Sequence, residues 1–489
     1  MAKVTTYFIS LSCFLSLIIT LLMSSNFANG YEGMIVLPLV YLILFFLFFL
    51  KFVGNTSNPY SLYGVLVMQW IRFVLMPPIC ALAGMRAGSE GNFISPTPDS
   101  LRLGILFMIL EFLGVSIFCT IFFRKAKSKK ESLIHREQDY YISGNKAIYV
   151  FFFIFTGCIY YLFGRNKGIL NFLVIRLGTG ERIGDTDSFL LLAIRQLILV
   201  SIMLLVVVIT KYASQKFYST NNKIYYYCAI SVSLINISII VGERRTAQVY
   251  AALCSIWLLV RLFPTFKKQT ITYIITGAGV VLFFMSVYKF FGAFQYASYG
   301  EALTQSTLDV GVISGILQAY FFGPQNIAIS IEFFNNFNMD LIQMFFDIFR
   351  SFFGISYLFR GLSDVTSVFF NTYIYGTQRD TGQILSSVAY SYGYLGPIFL
   401  PVFACINLTI TLFFEKILTR IKSLEVIYIV LYIIVRFSTN LFSNTPGLLS
   451  SASMFAMSSF FIIVIASVFG NKNKLKKQKS QRTHFSKIS

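Results

Sequence analysis

Long apolar runs recur along this chain, and they restrict it to very few folds. A helix needs about 20 mostly apolar residues to cross the hydrocarbon core of a bilayer. Within that core, only helices and closed barrels satisfy all of their backbone polar groups. We predict twelve spans, at residues 7–23, 33–50, 61–83, 101–123, 147–164, 189–210, 224–241, 247–263, 271–290, 394–414, 425–443 and 449–469. The sequence therefore predicts an all-α, polytopic integral membrane protein of about twelve transmembrane helices.

The first of these runs has a second interpretation. A secretory signal peptide also begins with a short apolar segment that follows basic residues. Here the basic region is Lys3 alone, and residues 26–30 (NFANG) make a poor cleavage site. We therefore expect 7–23 to be a membrane anchor.

Charged residues are scarce, at 12% of the chain, whereas a soluble domain carries about 25%. All seven cysteines lie within apolar runs and lack the paired spacing of a zinc site or a disulfide framework. We interpret them as packing residues. The net charge of +20 gathers in loops and in the tail, and we predict no nucleic-acid partner from it.

Lysine and arginine accumulate in every second loop, which gives the predicted orientation. The loop at 124–146 holds seven of them, and the C-terminal segment at 471–489 holds another seven. Cytoplasmic loops of membrane proteins carry such an excess. Both termini are therefore expected in the cytoplasm, with residues 1–470 forming one transmembrane domain and 471–489 a basic cytoplasmic tail.

The segment 291–393, between the ninth and tenth spans, is the one large loop, and it is predicted on the external side. It is rich in paired phenylalanines, and helical spacing is plausible in 310–336 and 341–357, with a break at Gly323 and Pro324. We interpret these as amphipathic helices on or in the outer leaflet. The alternative is a packing cap that binds no ligand.

Basic residues on the predicted external face are mostly arginine, although the topology rule disfavours basic residues there. The external loops of any protein contain some of them. Arginine, however, presents a planar fork of donors that matches phosphate and carboxylate. The densest group is the tight turn between spans seven and eight, where Glu243, Arg244 and Arg245 are consecutive. This turn is predicted to bind an anion.

Charged residues also occur inside the predicted spans, where an isolated charge costs several kcal/mol. Arg72 and Glu111 lie at similar depth in antiparallel spans, so we predict a structural ion pair rather than a role in substrate binding. Arg195 and Arg436 lie nearer the external ends of their spans. They either extend outward to water or line an open cavity.

Several kinds of chemistry have no sequence support. The two histidines, His135 and His484, are in segments predicted to be cytoplasmic, so the external face has neither a histidine base nor a histidine metal ligand. No nucleotide-binding motif is present. The segment 185–187 (DTD) has the spacing of a metal-held nucleotide-sugar site but is predicted to be external. We therefore predict no metal and no cofactor.

Four short motifs in 220–415 resemble one family. They are 242–244 (GER) opening a span, 320–325 (YFFGPQ), 371–373 (NTY) and 391–397 (SYGYLGP). This pattern resembles the bacterial Wzy-type oligosaccharide repeat-unit polymerases of O-antigen and capsule biosynthesis. Two positions depart from it, because Arg245 makes the arginine a tandem and Ser391 stands where the family often has Asp or Asn.

The resemblance implies a GT-C-like architecture and a metal-independent glycosyltransferase in the bacterial plasma membrane. Such enzymes act on undecaprenyl-diphosphate-linked glycans at the outer face, transferring the growing chain to a new repeat unit. The donor and the acceptor are both lipid-linked glycans, and a chain-length regulator protein is a further partner. The leaving group is a diphosphate, so arginines that neutralise its charge would contribute most of the catalysis.

The candidate site residues follow from this chemistry. An acceptor hydroxyl needs a base, and the candidate carboxylates are Glu243, Asp364 and Asp380, which the sequence does not rank. Ion pairing to the neighbouring arginines would lower the pKa of Glu243 and weaken it as a base. The candidate substrate-binding residues are Arg244, Arg245, Arg176, Arg182, Arg195, Arg360 and Arg379.

Two other functions compete with polymerisation. A flippase or other transporter of lipid-linked oligosaccharides would also need many spans and buried arginine, but it predicts repeated halves with interrupted helices. No such repeat is visible, and one dominant loop breaks the symmetry. An O-antigen ligase would be expected to carry an external histidine, and none is present.

Overall fold

The structure is a computed structural model. It describes residues 2–54, 59–84, 94–127, 140–177, 189–242, 245–306, 309–337, 339–359, 364–376 and 382–485, without the side chains of 2, 124–127, 189 and 470–485. Helices dominate these ranges. The helices in these ranges are, in chain order, α1 Ala2–Leu22, α2 Leu37–Leu44, α3 Pro59–Trp70, α4 Met76–Ala83, α5 Pro98–Lys127, α6 Lys146–Ile159, α7 Phe189–Thr220, α8 Ile224–Ser238, α9 Arg245–Leu262, α10 Lys267–Phe290, α11 Tyr299–Gln305, α12 Val310–Tyr320, α13 Pro324–Asn336, α14 Leu341–Arg350, α15 Thr366–Tyr375, α16 Ser387–Leu395, α17 Val402–Leu418, α18 Leu424–Thr439 and α19 Thr445–Phe485. Two short strands, β1 Leu170–Phe172 and β2 Ile239–Val241, form an antiparallel pair.

Nine helical segments in the described ranges are long and apolar enough to cross a membrane, and they fit an all-α, multi-pass membrane protein. Some of them join an α-helix to the short 3-10 or π turns beside it, as in Glu32–Phe49, Pro59–Ala83 and Lys146–Lys167. Every one of the twelve predicted spans overlaps a helical segment, although 224–241 ends in β2, and three of these segments do not meet that standard. The short ones are α8 and α18, with 15 and 16 residues. The third, α9, has 18 residues but is less apolar. The number twelve therefore stays a prediction.

The chain divides into two compact units, which are described separately. Unit 1 comprises Met1–Arg136, Leu308–Ile417 and Ile434–Ser453, and unit 2 comprises Glu137–Thr307, Leu418–Ile433 and Met454–Ser489.

The core of unit 1 is built on aromatic side chains of the first five helices. Phe112 of α5 is fully buried, and its ring lies 5.8 Å from Tyr41, 6.1 Å from Phe49 and 5.1 Å from Phe73, centroid to centroid. Such contacts add to the burial of apolar area, which dominates the stability of the folded state. They hold α5 at the centre of this part of the unit.

A carboxylate of α17 caps α3 within unit 1. Glu415 Oε1 accepts a hydrogen bond from the backbone N–H of Tyr60 at 2.7 Å, and Oε2 accepts one from the Ser61 hydroxyl. The first N–H groups of a helix have no partner inside the helix, and the helix dipole favours negative charge at that end. Glu415 of α17 therefore accepts the hydrogen bonds at the start of α3 that a residue next to the helix N-terminus usually accepts.

The segment 310–357 forms separate helices, and the predicted break at Gly323 and Pro324 is confirmed, because α12 ends at Tyr320 and α13 begins at Pro324. Of these helices, α14 is strongly amphipathic, as predicted for a surface helix. The neighbouring α13 is different. Most of its residues are buried between α5 and α16, so it is a core helix of unit 1.

The paired phenylalanines of this segment supply a second core. Phe333 and Phe334 of α13 pack with Phe370 of α15 and with Tyr390 and Tyr394 of α16. These aromatic residues surround the inner side of α14, where one polar residue, Asp347, is buried.

Unit 2 consists mainly of α6 to α10, in which consecutive helices pack side by side. Its connection near 140–145 is held by Glu425 of α18. One carboxylate oxygen, Oε1, accepts hydrogen bonds from the N–H groups of Ser143 and Gly144, at 2.8 and 3.2 Å, and from the Tyr149 hydroxyl at 3.1 Å. The Asn145 side chain then caps α6 by accepting from Ala147 N at 3.0 Å.

Candidate functional site

The β1–β2 pair of unit 2 holds the chain just before the arginine turn. Leu170 pairs with Val241, and the Gly242 N–H donates to the Ile169 carbonyl at 2.9 Å. Gly242 has a φ of +68°, a left-handed conformation that glycine adopts without steric cost. The start of the turn is therefore fixed by backbone pairing.

The guanidinium of Arg195 lies against this turn. A Cβ atom at Gly242 would stand 3.3 Å from Arg195 Cζ, which is tighter than most side-chain contacts, and 3.5 Å from Nε and Nη1, which is an ordinary contact distance. The guanidinium of Arg195 therefore lies close to the turn, where a side chain at position 242 would crowd it. The two sequence-based alternatives for Arg195, extension to water and lining a cavity, stay predictions.

Arg245 is the first residue of α9, three positions after Gly242. Its Cζ atom lies 4.0 Å from the centroid of the Phe290 ring at the end of α10. A guanidinium over an aromatic face is attracted by the ring quadrupole, and its orientation is restricted. Its flat side is occupied by the ring, so the donors at its edge carry the directional hydrogen bonding.

Arg176 lies a few residues after β1 and is exposed on a cavity of 410 Å³. Tyr160, Asn171 and Ile239 contribute to the same wall. Asn171 fixes the loop, since its Oδ1 accepts from Arg176 N at 3.2 Å and its Nδ2 donates to the Gly168 carbonyl at 3.0 Å. The cavity is thus bordered by β1 and β2 and by one cationic side chain.

Three of the predicted site residues lie at the β1–β2 pair or at the turn that follows it, namely Arg176, Arg195 and Arg245. The other predicted site residues of that region, Arg182, Glu243 and Arg244, lie outside the described residues, as do Arg360, Arg379 and Asp380. Within the described ranges, no group of three or more His, Cys, Asp or Glu side chains is placed to hold a metal ion.

A second polar centre lies in unit 1, around Asp347 of α14. The side chain is 1% exposed, yet it lines a cavity of 350 Å³. Its Oδ1 accepts hydrogen bonds from Thr366 N at 3.0 Å and Gln343 Nε2 at 3.1 Å, and its Oδ2 accepts from the Tyr390 hydroxyl at 2.8 Å. Asp347 therefore caps the first turn of α15 from the preceding helix.

Burial raises the pKa of the Asp347 carboxyl above its ordinary value, while the hydrogen bonds from Thr366, Tyr390 and Gln343 act in the opposite direction. Burial also raises the pKa of Tyr390, and the nearby Asp347 raises it further. The tyrosine hydroxyl consequently stays protonated and remains the donor in this pair.

The beginning of α19 forms another part of the cavity wall. Asn444 Oδ1 accepts from Gly447 N at 3.1 Å and caps this helix, and Gly447 and Ser450 line the cavity with it. Arg436 holds the same turn by donating to the Gly447 and Leu448 carbonyls, each at 3.3 Å. Arg436 thus binds the backbone of this wall, and the two alternatives given for it from the sequence stay predictions.

No family model, curated protein or solved structure matches this chain. The geometry of its own residues therefore carries the functional argument.

Asp347 is the site residue that the sequence did not single out, since it is one acidic residue in an apolar stretch. The available signal was helical spacing, because Gln343, Met344 and Asp347 share one face of α14. Among the three predicted carboxylates, only Asp364 is described. Its carbonyl oxygen accepts from Gln343 Nε2 at 2.7 Å, so it shares a partner with Asp347.

Proposed function

We propose that this protein is a membrane glycosyltransferase that polymerises undecaprenyl-diphosphate-linked oligosaccharide repeat units at the outer face of the bacterial plasma membrane. In this proposal, both termini are cytoplasmic, and the turn at 242–245 faces outward. The product is a lipid-linked polysaccharide of the O-antigen or capsule type. The nine apolar helical segments fit a protein that lies in a bilayer, which is where a lipid-linked substrate is found.

The observation that carries the proposal is the contact between Arg195 and Gly242. A guanidinium lies close to a left-handed turn that is held by backbone pairing, and two further arginines, Arg244 and Arg245, follow that glycine in the chain. Arginine forks match the oxygens of a diphosphate, and preorganised donors stabilise charge as it develops. A turn held by backbone pairing supplies such preorganisation.

The diphosphate linkage of the proposed substrate determines which bonds break and form in the reaction. The bond between the anomeric carbon of the growing chain and the diphosphate oxygen breaks, and its electron pair leaves with the lipid diphosphate. The acceptor hydroxyl oxygen forms the new bond to that carbon, and its proton passes to a carboxylate, for which Glu243, Asp364 and Asp380 are the candidates. The arginines act on the leaving group, whose charge grows as the bond breaks.

The test is polymer formation by the purified protein in liposomes supplied with one undecaprenyl-diphosphate-linked repeat unit. The proposal predicts a ladder of products that differ by one repeat unit and the release of undecaprenyl diphosphate. A transporter would instead move the substrate across the liposome membrane without changing its length. Movement without elongation would overturn the proposal.

A further inference from the structure

The cavity of unit 1 is lined mainly by groups that form hydrogen bonds with neutral hydroxyls. Its walls carry a carboxylate, an amide, several hydroxyls and one guanidinium, from Asp347, Asn444, Ser351, Ser356, Ser367, Ser450, Tyr390 and Arg350. Val365 and Pro446 add small apolar patches. A volume of 350 Å³ is at the lower end of the range of about 300–1,000 Å³ for small-molecule sites. The occupant is therefore a small, polar molecule.

The hydrogen bonds of Asp347 use its two carboxylate oxygens unequally. An ionised carboxylate has about four lone-pair sites. Oδ1 accepts from Thr366 and Gln343, whereas Oδ2 accepts from Tyr390. The hydroxyls of Thr366 and Tyr394 also interact with this carboxylate. Because Asp347 lines the cavity and Oδ2 accepts one hydrogen bond fewer than Oδ1, Oδ2 is the acceptor that we assign to a donor inside the cavity.

Asn444 supplies the complementary group at another place on the cavity wall. Its Oδ1 is occupied by Gly447 N, whereas its Nδ2 has no hydrogen-bond partner among the described residues. The cavity thus offers an acceptor at one place and a donor at another. A hydroxyl group both donates and accepts, so adjacent hydroxyls on one ring satisfy both groups.

We propose that this cavity binds one sugar ring, with a ring hydroxyl donating to Asp347 Oδ2 and another accepting from Asn444 Nδ2. The inference rests on the proposed function only in identifying the sugar as part of the glycan substrate. A phosphate group would be attracted by the guanidinium of Arg350 but repelled by the buried carboxylate of Asp347 on the same walls. A sugar is neutral and supplies both a donor and an acceptor.

The experiment uses the full-length protein in detergent and saturation-transfer NMR with free glucose, galactose and N-acetylglucosamine. Asp347→Asn removes the ionised acceptor at nearly constant volume. Ser450→Trp leaves Asp347 intact and obstructs the cavity from an exposed position on its wall. Asp99→Asn is the matched control, because it removes a carboxylate that is 92% exposed and lies outside the cavity. Size-exclusion profiles establish that each variant is folded.

At least one sugar should bind to the wild-type protein and to Asp99→Asn. Its dissociation constant should rise about tenfold or more in Asp347→Asn and in Ser450→Trp. Absence of sugar binding to the wild type, or equal binding by folded Ser450→Trp, would overturn the inference. Competition for the same position by inorganic diphosphate would overturn it as well. Sugar binding by a protein that makes no polymer would refute the proposed function and leave this site in place.

Discussion

The guanidinium of Arg72 donates to the Glu111 carboxylate at 2.9 Å, and neither side chain is exposed to any measurable degree. The predicted ion pair is thereby confirmed. Arg72 also donates to the Phe322 carbonyl at 3.2 Å, and Glu111 accepts from the Ser387 hydroxyl at 2.6 Å. The pair therefore connects α5 and the 59–83 helical segment to the beginnings of α13 and α16 inside unit 1.

Replacing Glu111 by Gln should lower the folded yield strongly, because it leaves Arg72 charged and unpaired in a low-dielectric interior. Breaking a buried pair costs about 3–5 kcal/mol. Exchanging the two residues should restore part of the yield, as measured by size-exclusion chromatography in detergent. Ser387→Ala is the milder control, since it removes one hydrogen bond. Normal yield of Glu111→Gln with loss of polymer would instead assign the carboxylate to the reaction.

Gly242→Ala should lower polymer formation by about tenfold or more, because the new Cβ displaces Arg195 and misplaced catalytic groups react slowly. Gly292→Ala is the matched control in the same unit. Its φ is +59°, and the added Cβ meets only Gln295, at 3.6 Å. Both variants carry the strain of a left-handed alanine. Equal activity of the two would show that the position of Arg195 is irrelevant.

Arg244→Lys should reduce activity substantially, because it keeps the charge and loses the planar fork. Arg244→Ala should reduce it further, by about 10²–10³ in rate. The measurement is the polymer ladder in cells without the wild-type gene, at protein levels matched by immunoblot. Long polymer from the double Arg244→Ala, Arg245→Ala variant at normal abundance would move the anion site elsewhere.

A separate comparison isolates the contact of Arg245 with Phe290. Phe290→Leu removes the aromatic face and keeps the guanidinium. We expect it to retain most polymer formation, whereas Arg245→Ala loses it, because the hydrogen-bonding edge of the guanidinium binds the diphosphate. Identical losses in both would indicate that Arg245 acts only by stacking.

Stability should depend on pH through Asp347. Its folded-state pKa lies above the ordinary value of 3.8, so the folded state binds the proton more tightly than the unfolded state does. This contribution is fully present below pH 3.8 and is lost as the pH rises through the folded-state pKa. The Tm of the wild type relative to Asp347→Asn should therefore fall across that window. A constant difference would contradict the raised pKa. Tyr390 does not titrate there, because its own pKa is raised.

The predicted orientation has a direct test. A cysteine placed at Thr304, which is exposed in unit 2, should react with a membrane-impermeant maleimide added to intact cells, and one placed at Ser128 should not. Exchange of the native cysteines beforehand removes their signal. The reverse labelling pattern would place the termini outside.

Two features made part of this structure predictable from the sequence: the pattern of apolar residues along the chain and the free-energy cost of burying an unpaired charge. Apolar runs are long enough to identify the helices, and matched depth identified the partner of Arg72. The β1–β2 pair was not predicted, because Ile239, Ile240 and Val241 continue an apolar run and look helical. Their strand conformation depends on a partner that is 67–71 residues earlier in the chain.

The cavity around Asp347 could not be predicted from the sequence for a related reason. Its walls come from α14, α15, α16 and the start of α19, which are far apart in sequence. A single acidic residue in an amphipathic helix gives no sign of whether it faces water or a core. The resemblance of the motifs suggests a class of reaction, which stays a prediction. The sequence does not rank the three candidate carboxylates, and of them only Asp364 lies in the described residues.

The cap that Glu415 gives to α3 has a consequence for synthesis. Glu415 follows Tyr60 by 355 residues, and a ribosome adds about 5–20 residues per second, so α3 waits roughly 20–70 s for its cap. During that interval its first N–H groups need water, lipid headgroups or an insertion factor as partners. A nascent chain truncated before residue 415 should thus expose the Tyr60 region, and a quality-control protease would find its target there.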